Sequence, residues 1–432
     1  MPLQHVSMMQ SSSTHGSRPF VRCSRGSHAH GSRAHVHASS SPRNSSGSSS
    51  FEKKKKSKDK SSSRHPRHPP QLYPGMPGAG WEPWRKKESG KKQVLPQHMR
   101  LSLQKTKQFL IQANHNPKKA LGQNFMLDEN VLRKVTKAAA VQADDVVVEI
   151  GPGTGNLTTH LLEAGARVLA IEKDDALVDV VRVRFQQEIQ SGQLSVLHAD
   201  VLHVDVEEAA YAFATGESVS TPDVAERGDA MERTRRPTYQ LTRTLPPTGR
   251  AKVVANLPYN LTKDVLMRLL PLGGILTDVV VMLQDEAARR WSEASPGDAD
   301  YRGVSVLARF YADPSYAFFI PRNAFYPAPH VDSACVRFAL RDPDAWVGGD
   351  NDGDVPRLKR VRALSKLVNA GFTSRRKMLR NTLQGGAFGG APEVLAALEQ
   401  AGLDVDARPQ DIDAAGFGRL AAALESKQKQ AS

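Results

Sequence analysis

The fold of this chain is decided by the stretch Val146-Val147-Val148-Glu149-Ile150-Gly151-Pro152-Gly153-Thr154-Gly155. Its first half is a short continuous apolar run, which is typical of a strand buried on both faces of a parallel sheet. Its second half is a glycine-rich turn, and residues 157–164 after it have a helical pattern. Glycines in such a turn let backbone N–H groups approach a ligand without obstruction by Cβ atoms.

Strands and helices alternate on both sides of this stretch, which predicts a parallel α/β sheet. Further strands are predicted at 167–171, 194–197, 252–255 and 277–283, with helices at 128–140 and 175–190. Two more strands, at 317–320 and 334–340, look like a closing pair. Helical patterns follow at 355–370, 374–383, 392–401 and 414–425. We therefore predict a Rossmann-like α/β domain over 116–341, with an insertion at about 211–250, and a small all-helical domain over 355–432.

Two acidic residues follow the second and third predicted strands. Glu172 lies 21 residues beyond Gly151, where a carboxylate can accept hydrogen bonds from both ribose hydroxyls of a nucleotide-like cofactor. Asp200 is placed to accept from an adenine amino group. These two acids fit NAD and S-adenosylmethionine equally well.

The motif that separates these cofactors is Asn256-Leu257-Pro258-Tyr259, at the carboxyl end of the fourth predicted strand. Ligands bind at that end of an open α/β sheet. An exocyclic adenine amine is a poor nucleophile, because its lone pair is delocalised into the ring. The side-chain oxygen of Asn256 and the carbonyl of Leu257 can hold its N–H groups, Pro258 can stiffen the loop, and Tyr259 can stack on a flipped base. A nicotinamide dehydrogenase has no use for this loop, so the motif favours methyl transfer from S-adenosylmethionine.

Four motifs in order give the chain a family resemblance: residues 119–125 (KALGQNF), 149–155 (EIGPGTG), 256–259 (NLPY) and 325–333 (FYPAPHVDS). Together they resemble the small-subunit ribosomal RNA adenine N6,N6-dimethyltransferases, and the plastid members most, over residues 117–420. The resemblance implies a Rossmann-like S-adenosylmethionine-dependent methyltransferase that modifies two adjacent adenines near the 3′ end of the RNA.

The resemblance also implies the residues of the site. Phe325 is expected to stack on the target adenine opposite Tyr259. Met126 stands where the family often has Leu. The expected contacts of S-adenosylmethionine are Asn124, Met126, Gly151, Gly153, Glu172, Asp200 and Asn256.

A basic stretch in the C-terminal region is the predicted RNA-binding surface. Nine Lys and Arg residues and no acid occur between residues 355 and 384, and such a patch can neutralise phosphates. Arg375, Arg376, Lys377 and Arg380 lie in a segment that resembles the family's C-terminal basic helix. We expect the partner to be small-subunit rRNA in a pre-ribosomal particle, with the protein acting as a monomer.

The N-terminal region has a different composition from the rest of the 432 residues. Residues 1–115 hold 21 Lys and Arg against 4 Asp and Glu, whereas residues 116–432 hold 38 against 41. Residues 1–50 are rich in Ser and Arg and contain no acid, as in organelle transit peptides. We predict that residues 1–100 are a largely disordered tail with a transit peptide. The plastid stroma is the favoured compartment, with the mitochondrion as the alternative.

The composition argues against some other classes of protein. Two cysteines, Cys23 and Cys335, cannot build a disulfide framework or a cysteine-ligated zinc site, and we expect no metal. No apolar run approaches the roughly 20 residues that cross a bilayer, so no membrane association is expected. Two rivals stay open: a ribosome-assembly or transcription cofactor that keeps the methylase fold but acts by binding, and a DNA adenine methylase.

Overall fold

The computed structural model describes residues 97–117, 122–217, 250–342, 357–385 and 388–431. The predicted transit peptide lies outside these residues, and so do residues 218–249 of the insertion predicted at about 211–250. The described part contains a seven-stranded sheet and a separate two-stranded one. The strands are β1 (Phe125–Met126), β2 (Val146–Ile150), β3 (Arg167–Glu172), β4 (Leu194–His198), β5 (Ala251–Asn256), β6 (Leu276–Gln284), β7 (Ala312–Ile320), β8 (Phe325–Tyr326) and β9 (Ser333–Leu340).

The large sheet has the strand order β4-β3-β2-β5-β6-β9-β7. The first five strands pair in parallel, and β9 pairs antiparallel with both β6 and β7. The predicted closing pair is therefore present, although β9 lies between its partner and the parallel strands. Because the chain order reverses between β2 and β5, the carboxyl ends of these two strands border a crevice that suits ligand binding.

The core lies on both faces of the sheet. Along β2, Val146, Val148 and Ile150 belong to one hydrophobic cluster, whereas Val147 belongs to the other. Neighbouring side chains of a strand point to opposite faces, and both faces of β2 are covered by helices. This double burial explains why the strand has a continuous apolar sequence rather than an alternating one.

Thirteen α-helices occur in the described part of the chain, and most of the predicted ones begin and end within two residues of the prediction. They are α1 (Gln97–Gln112), α2 (Glu129–Ala138), α3 (Asn156–Glu163), α4 (Asp175–Arg184), α5 (Gln186–Gln190), α6 (Val206–Thr215), α7 (Thr262–Leu269), α8 (Asp285–Ser292), α9 (Gly303–Tyr311), α10 (Arg357–Phe372), α11 (Leu379–Thr382), α12 (Ala391–Gln400) and α13 (Ala414–Ala431).

Several boundaries differ from the sequence-based expectation. The helix predicted over 175–190 is interrupted at Phe185, whose backbone leaves the helical region with φ −118° and ψ 35°. The helix predicted over 374–383 is present only as α11, since residue 378 is extended and the N–H of Leu379 bonds to the carbonyl of Ala407. Helix α1 begins inside the predicted tail, at Gln97, and α6 occupies the start of the predicted insertion.

The C-terminal helices α10 to α13 pack into the same core as the sheet. Leu367 and Val368 of α10 and Phe417 of α13 share one hydrophobic cluster with Val306 of α9 and Phe338 of β9. No helix of the described residues is both long and apolar enough to cross a membrane.

Candidate functional site

The glycine turn between β2 and α3 needs glycine for a steric reason. Gly151, Gly153 and Gly155 all have positive φ, at 69°, 60° and 81°, in the left-handed region that side chains disfavour. A Cβ atom on Gly155 would stand 2.4 Å from the ring of Phe185. The turn therefore closes tightly over the carboxyl end of β2, directly before helix α3.

Glu172 ends β3 and faces this turn. Its carboxylate accepts hydrogen bonds from the backbone N–H groups of Gly153 (3.1 Å), Lys173 (2.8 Å) and Asp174 (2.9 Å). The side chain is buried, and this burial raises the pKa of Glu172 despite the three N–H donors. Glu172 is thus an acceptor group fixed in position between the glycine turn and the end of β3.

Asp200 follows β4 and is held at the next position along the same edge. Its Oδ1 accepts from the N–H of Leu202 at 2.9 Å, and its Oδ2 accepts from Nζ of Lys173 at 2.8 Å. Partial burial alone would raise the pKa of Asp200. The bond from Lys173, followed by that from Leu202, outweighs burial and holds the pKa below its usual value. The carboxylate is therefore charged at neutral pH and available as an acceptor.

Asn256 is the last residue of β5, and its amide group is oriented by one contact. Its Nδ2 donates to the backbone carbonyl of Asn124 at 2.8 Å, which leaves Oδ1 as the acceptor end of the amide. In the pairing of β2 with β5, Ile150 stands opposite Ala255. Gly151 and Asn256 are therefore neighbours at the carboxyl edge of the sheet, as the proposed chemistry requires.

Tyr259 joins two of the sequence motifs. Its hydroxyl and that of Ser333, the first residue of β9, are 2.6 Å apart. Burial raises the pKa of Tyr259, so the phenol is neutral at physiological pH. The hydrogen bond fixes the half-buried ring of Tyr259 at the edge of the site, a contact that sequence reasoning did not foresee.

These groups surround one cavity of about 260 Å³. It is lined by every residue predicted to contact the cofactor and by all four residues of the motif at 256–259. The predicted residues on its wall are Asn124, Met126, Gly151, Gly153, Glu172, Asp200, Asn256, Leu257, Pro258 and Tyr259. Its lining therefore combines fixed acceptors with apolar surface, as a nucleoside linked to an amino acid would require.

Comparison with known proteins identifies the family of the chain. The family model described as ribosomal RNA adenine dimethylase matches residues 114–399. The chain belongs to the ribosomal RNA adenine dimethylase family. A chloroplastic ribosomal RNA small subunit methyltransferase of Arabidopsis thaliana is 37% identical over 304 residues, covering 70% of this chain and 78% of the relative.

Two further comparisons agree with this family. Ribosomal RNA small subunit methyltransferase A of Protochlamydia amoebophila is 35% identical over 321 residues, covering 74% of this chain and 96% of the relative. A crystal structure of a dimethyladenosine transferase from Plasmodium falciparum has the same fold, with a TM-score of 0.50 at 20% identity; it covers 70% of this chain and 98% of that one. The predicted family and the predicted fold class are both confirmed.

Phe325 is placed differently from the other predicted residues of this dimethylase. It is 3% exposed, and it pairs with Met126 across β1 and β8. It belongs to the same apolar cluster as Met126 and does not line the cavity. A stacking contact with a base would require its side chain to turn toward the cavity, so its role stays a prediction.

A buried acid beneath the glycine turn was absent from the predicted site. Glu149 lines the cavity and accepts from the hydroxyl of Thr158 at 2.6 Å. Burial raises the pKa of Glu149 to about 8. Arg184 opposes this rise and donates to Oδ1 of Asn156 (3.1 Å) and to the hydroxyl of Thr159 (2.8 Å). Arg184 thus braces the first turn of α3, a role that its position in α4 did not indicate.

The four predicted RNA-binding residues occupy the turn before α11 and its start. Arg376 and Lys377 are exposed. Arg375 donates to the carbonyl of Ala299 at 2.6 Å, and Arg380 pairs with Asp406 at 2.9 Å. The cationic surface is therefore formed by a turn rather than by the predicted helix, and two of its four members already have protein partners.

Proposed function

We propose that this protein transfers methyl groups from S-adenosylmethionine to the N6 amines of two adjacent adenines near the 3′ end of small-subunit rRNA. The observation that carries the proposal is the orientation of Asn256. Its amide is tied to Asn124 through Nδ2, which leaves Oδ1 as the acceptor, and Asn256 lines the same cavity as the glycine turn. Membership of the dimethylase family and the names of the relatives support the same reaction.

The chain's own groups act mainly by orienting the amine. When bound, S-adenosylmethionine supplies a methyl group that is activated by the positive charge of its sulfonium. Oδ1 of Asn256 and the carbonyl of Leu257 accept the amine N–H groups and favour a more pyramidal, more nucleophilic nitrogen. No strong base is required on the protein, because the amine proton can pass to water after the transfer. Fixed acceptors of this kind lower a barrier without reorganising during the reaction.

The other lining residues would hold the cofactor. Glu172 would accept from the ribose hydroxyls and Asp200 from the adenine amino group, while the backbone of Gly151 and Gly153 leaves room for close approach. Asn124 and Met126 would form the wall beside Asn256. The fit rests on the donor set: two fixed carboxylates and a glycine turn stand around one largely apolar cavity.

The target base and the rest of the RNA would lie outside the part of the cavity that holds the cofactor. Tyr259, with Phe325 if it turns toward the cavity, would stack on the flipped adenine. Arg375, Arg376, Lys377 and Arg380 would contact phosphates of the rRNA in a pre-ribosomal particle, with the enzyme as a monomer. The acid-free N-terminal sequence and the chloroplastic relative support a plastid location; the location of a fluorescent fusion to residues 1–110 would test it.

The decisive experiment is transfer of labelled methyl groups to unmethylated small ribosomal subunits. We expect the wild type to give N6,N6-dimethyladenosine at two neighbouring positions, found by nuclease digestion and mass spectrometry. Asn256→Ala should abolish transfer while cofactor binding, measured by calorimetry, is weakened but still detectable. Duplex DNA should not compete with the subunits. Absence of transfer by the wild type would favour a binding role for the fold instead.

A further inference from the structure

Helix α1 carries positive charge without any negative charge. Within Gln97–Gln112 there are Arg100, Lys105 and Lys107, and no Asp or Glu. The helix precedes the family match, which begins at residue 114. It was not predicted from the sequence, and the function proposed above assigns it no role.

The cations of α1 lie on its exposed half. Met99, Ser102, Thr106 and Leu110 are buried against the protein, whereas Arg100, Lys105 and Lys107 are exposed. None of the three forms an ion pair with any residue of the described ranges. Arg100 and Lys107 are seven residues apart, about 10 Å along the helix axis, and face nearly the same direction. The helix therefore presents a cationic surface whose charges are not neutralised by ion pairs with the described residues.

One side of α1 is docked against the edge of the site. Leu110 packs in a small cluster with Phe125 and Tyr326, and Phe125 also lines the cavity. Nζ of Lys107 lies 5.1 Å from the centre of the Tyr326 ring. Tyr326 belongs to the motif at 325–333 and pairs with Phe125 across β1 and β8. The charge of Lys107 is therefore next to the part of the protein predicted to meet the target base.

The other side of α1 is fixed to the glycine turn. The hydroxyl of Thr106 accepts from Nδ2 of Asn156 at 3.2 Å, and the guanidinium of Arg184 stacks over Phe109 at 5.0 Å. Asn156 begins α3, directly after the turn. These contacts hold the cations of α1 on a fixed surface beside the site, whereas cations on a flexible tail would lose more entropy on binding.

We propose that α1 is a second RNA-binding surface, which holds phosphates of the rRNA segment next to the target adenine. This inference rests on the proposed function, since it takes small-subunit rRNA as the substrate. Charge complementarity identifies the occupant. Three cations that form no ion pair with the described residues, on a helix without an acid, match a phosphate backbone, which supplies most of the electrostatic affinity in such complexes. Leu101 and Ile111, also exposed on this helix, would contact sugar or base surface.

The test compares two double variants that each lose one Arg and one Lys. Arg100→Gln with Lys107→Gln removes charge from α1. The matched control is Lys137→Gln with Arg182→Gln. Lys137 is exposed near the end of α2, and Arg182 is exposed in α4. Both residues lie beside chain segments that lead into the amino ends of strands. The probe is a 3′-terminal fragment of small-subunit rRNA, whose affinity is measured at several salt concentrations.

We expect the α1 variant to reduce the magnitude of the slope of log K against log salt by about 1.5. Each lost phosphate contact contributes about 0.7–0.9 to this slope, and the variant loses two cations. Its KM for small subunits should rise about tenfold, with kcat and cofactor affinity unchanged. The control should leave slope and KM as in the wild type. Arg100→Lys with Lys107→Arg should keep the wild-type slope, which separates lost charge from lost folding.

An α1 variant with the slope of the control would overturn the inference. A second result would also overturn it. If Leu101→Ser with Ile111→Ser bound the RNA fragment normally but lost binding to intact subunits, α1 would contact a protein of the subunit rather than RNA. RNA binding and methyl transfer are measured separately, so the two proposals can fail separately. A wild type that binds RNA through α1 without methylating it would refute only the reaction.

Discussion

Replacing Asn256 by Asp tests the orientation on which the proposed chemistry depends. In the wild type, Nδ2 donates to the carbonyl of Asn124 at 2.8 Å, and the proposed chemistry assigns Oδ1 to the substrate amine. An ionised carboxylate has no N–H group. In Asn256→Asp an acceptor oxygen would therefore face the carbonyl oxygen of Asn124, and the side chain could not keep this position.

The size of the effect follows from that single lost donor. An unsatisfied buried polar group costs about 1–3 kcal/mol, which corresponds to about 5- to 150-fold in rate. Repulsion from the Asn124 carbonyl should raise the pKa of the introduced carboxyl group. As pH falls through this raised pKa, the protonated group regains a donor for Asn124 and keeps one carbonyl oxygen for the amine. The deficit of Asn256→Asp should therefore shrink on acidification.

The assay is single-turnover methyl transfer, with the rate of the variant divided by that of the wild type at each pH. Measurements between about pH 4 and pH 8 cover the range in which a perturbed carboxyl group titrates. Asn256→Ala should show no recovery in acid, and Asn130→Asp, exposed in the first turn of α2, should match the wild type. A wild-type rate for Asn256→Asp at neutral pH would refute the reasoning, as would a deficit independent of pH.

Three shorter predictions concern the stability of the protein and the role of Tyr259. Because burial raises the pKa of Glu149 to about 8 from an ordinary 4.5, the folded state keeps a proton that the unfolded chain loses. The free energy of unfolding should therefore fall as pH rises from about 4.5 to about 8, by up to about 1.4 kcal/mol per pH unit. Glu149→Gln should flatten this pH dependence when it is measured by urea unfolding, and an unchanged pH dependence would contradict the prediction. Gly155→Ala should cost about 1–3 kcal/mol, more than Gly192→Ala, where a Cβ meets nothing within 4 Å; equal melting temperatures would remove the steric argument. Tyr259→Phe loses one hydrogen bond to Ser333 but keeps the ring, so kcat should fall only about tenfold or less, and far less than in Tyr259→Ala; similar losses would point away from stacking.

The parallel strands could be predicted from the sequence because burial on both faces requires a continuous apolar run. A strand covered on both faces, such as β2, has a continuous apolar run, and the glycine turn marks its end. Some residues that line the cavity were predictable for the same reason, since Glu172 and Asn256 end strands and Asp200 follows one. Asn124 and Met126, also on the cavity wall, were implied only by the family resemblance. The interruption of the helix at Phe185 was hidden because Phe continues the apolar pattern while its ring packs against Gly155.

Helix α1 was missed for a different physical reason. Of its four buried side chains, Ser102 and Thr106 are polar, so the apolar period that reveals a helix is broken. The bond from Asn156 satisfies the hydroxyl of Thr106, a partner 50 residues away that no local pattern records. The expectation for residues 374–383 failed in the opposite direction, because a contact with Ala407 overrides a local helical pattern.

The contact between Tyr259 and Ser333 shows how the direction of one strand assembles the site. Tyr259 follows β5, and Ser333 begins β9, 74 residues later. Since β9 is antiparallel, its amino end pairs with the carboxyl end of β6, at Gln284. The start of β9 therefore lies at the same edge as the ends of β2, β3, β4 and β5. Were β9 parallel, the motif at 325–333 would precede the opposite edge of the sheet, and its serine could not reach the tyrosine. The antiparallel direction of β9 is thus what brings the end of the motif at 325–333 to the edge of the sheet where the cavity lies.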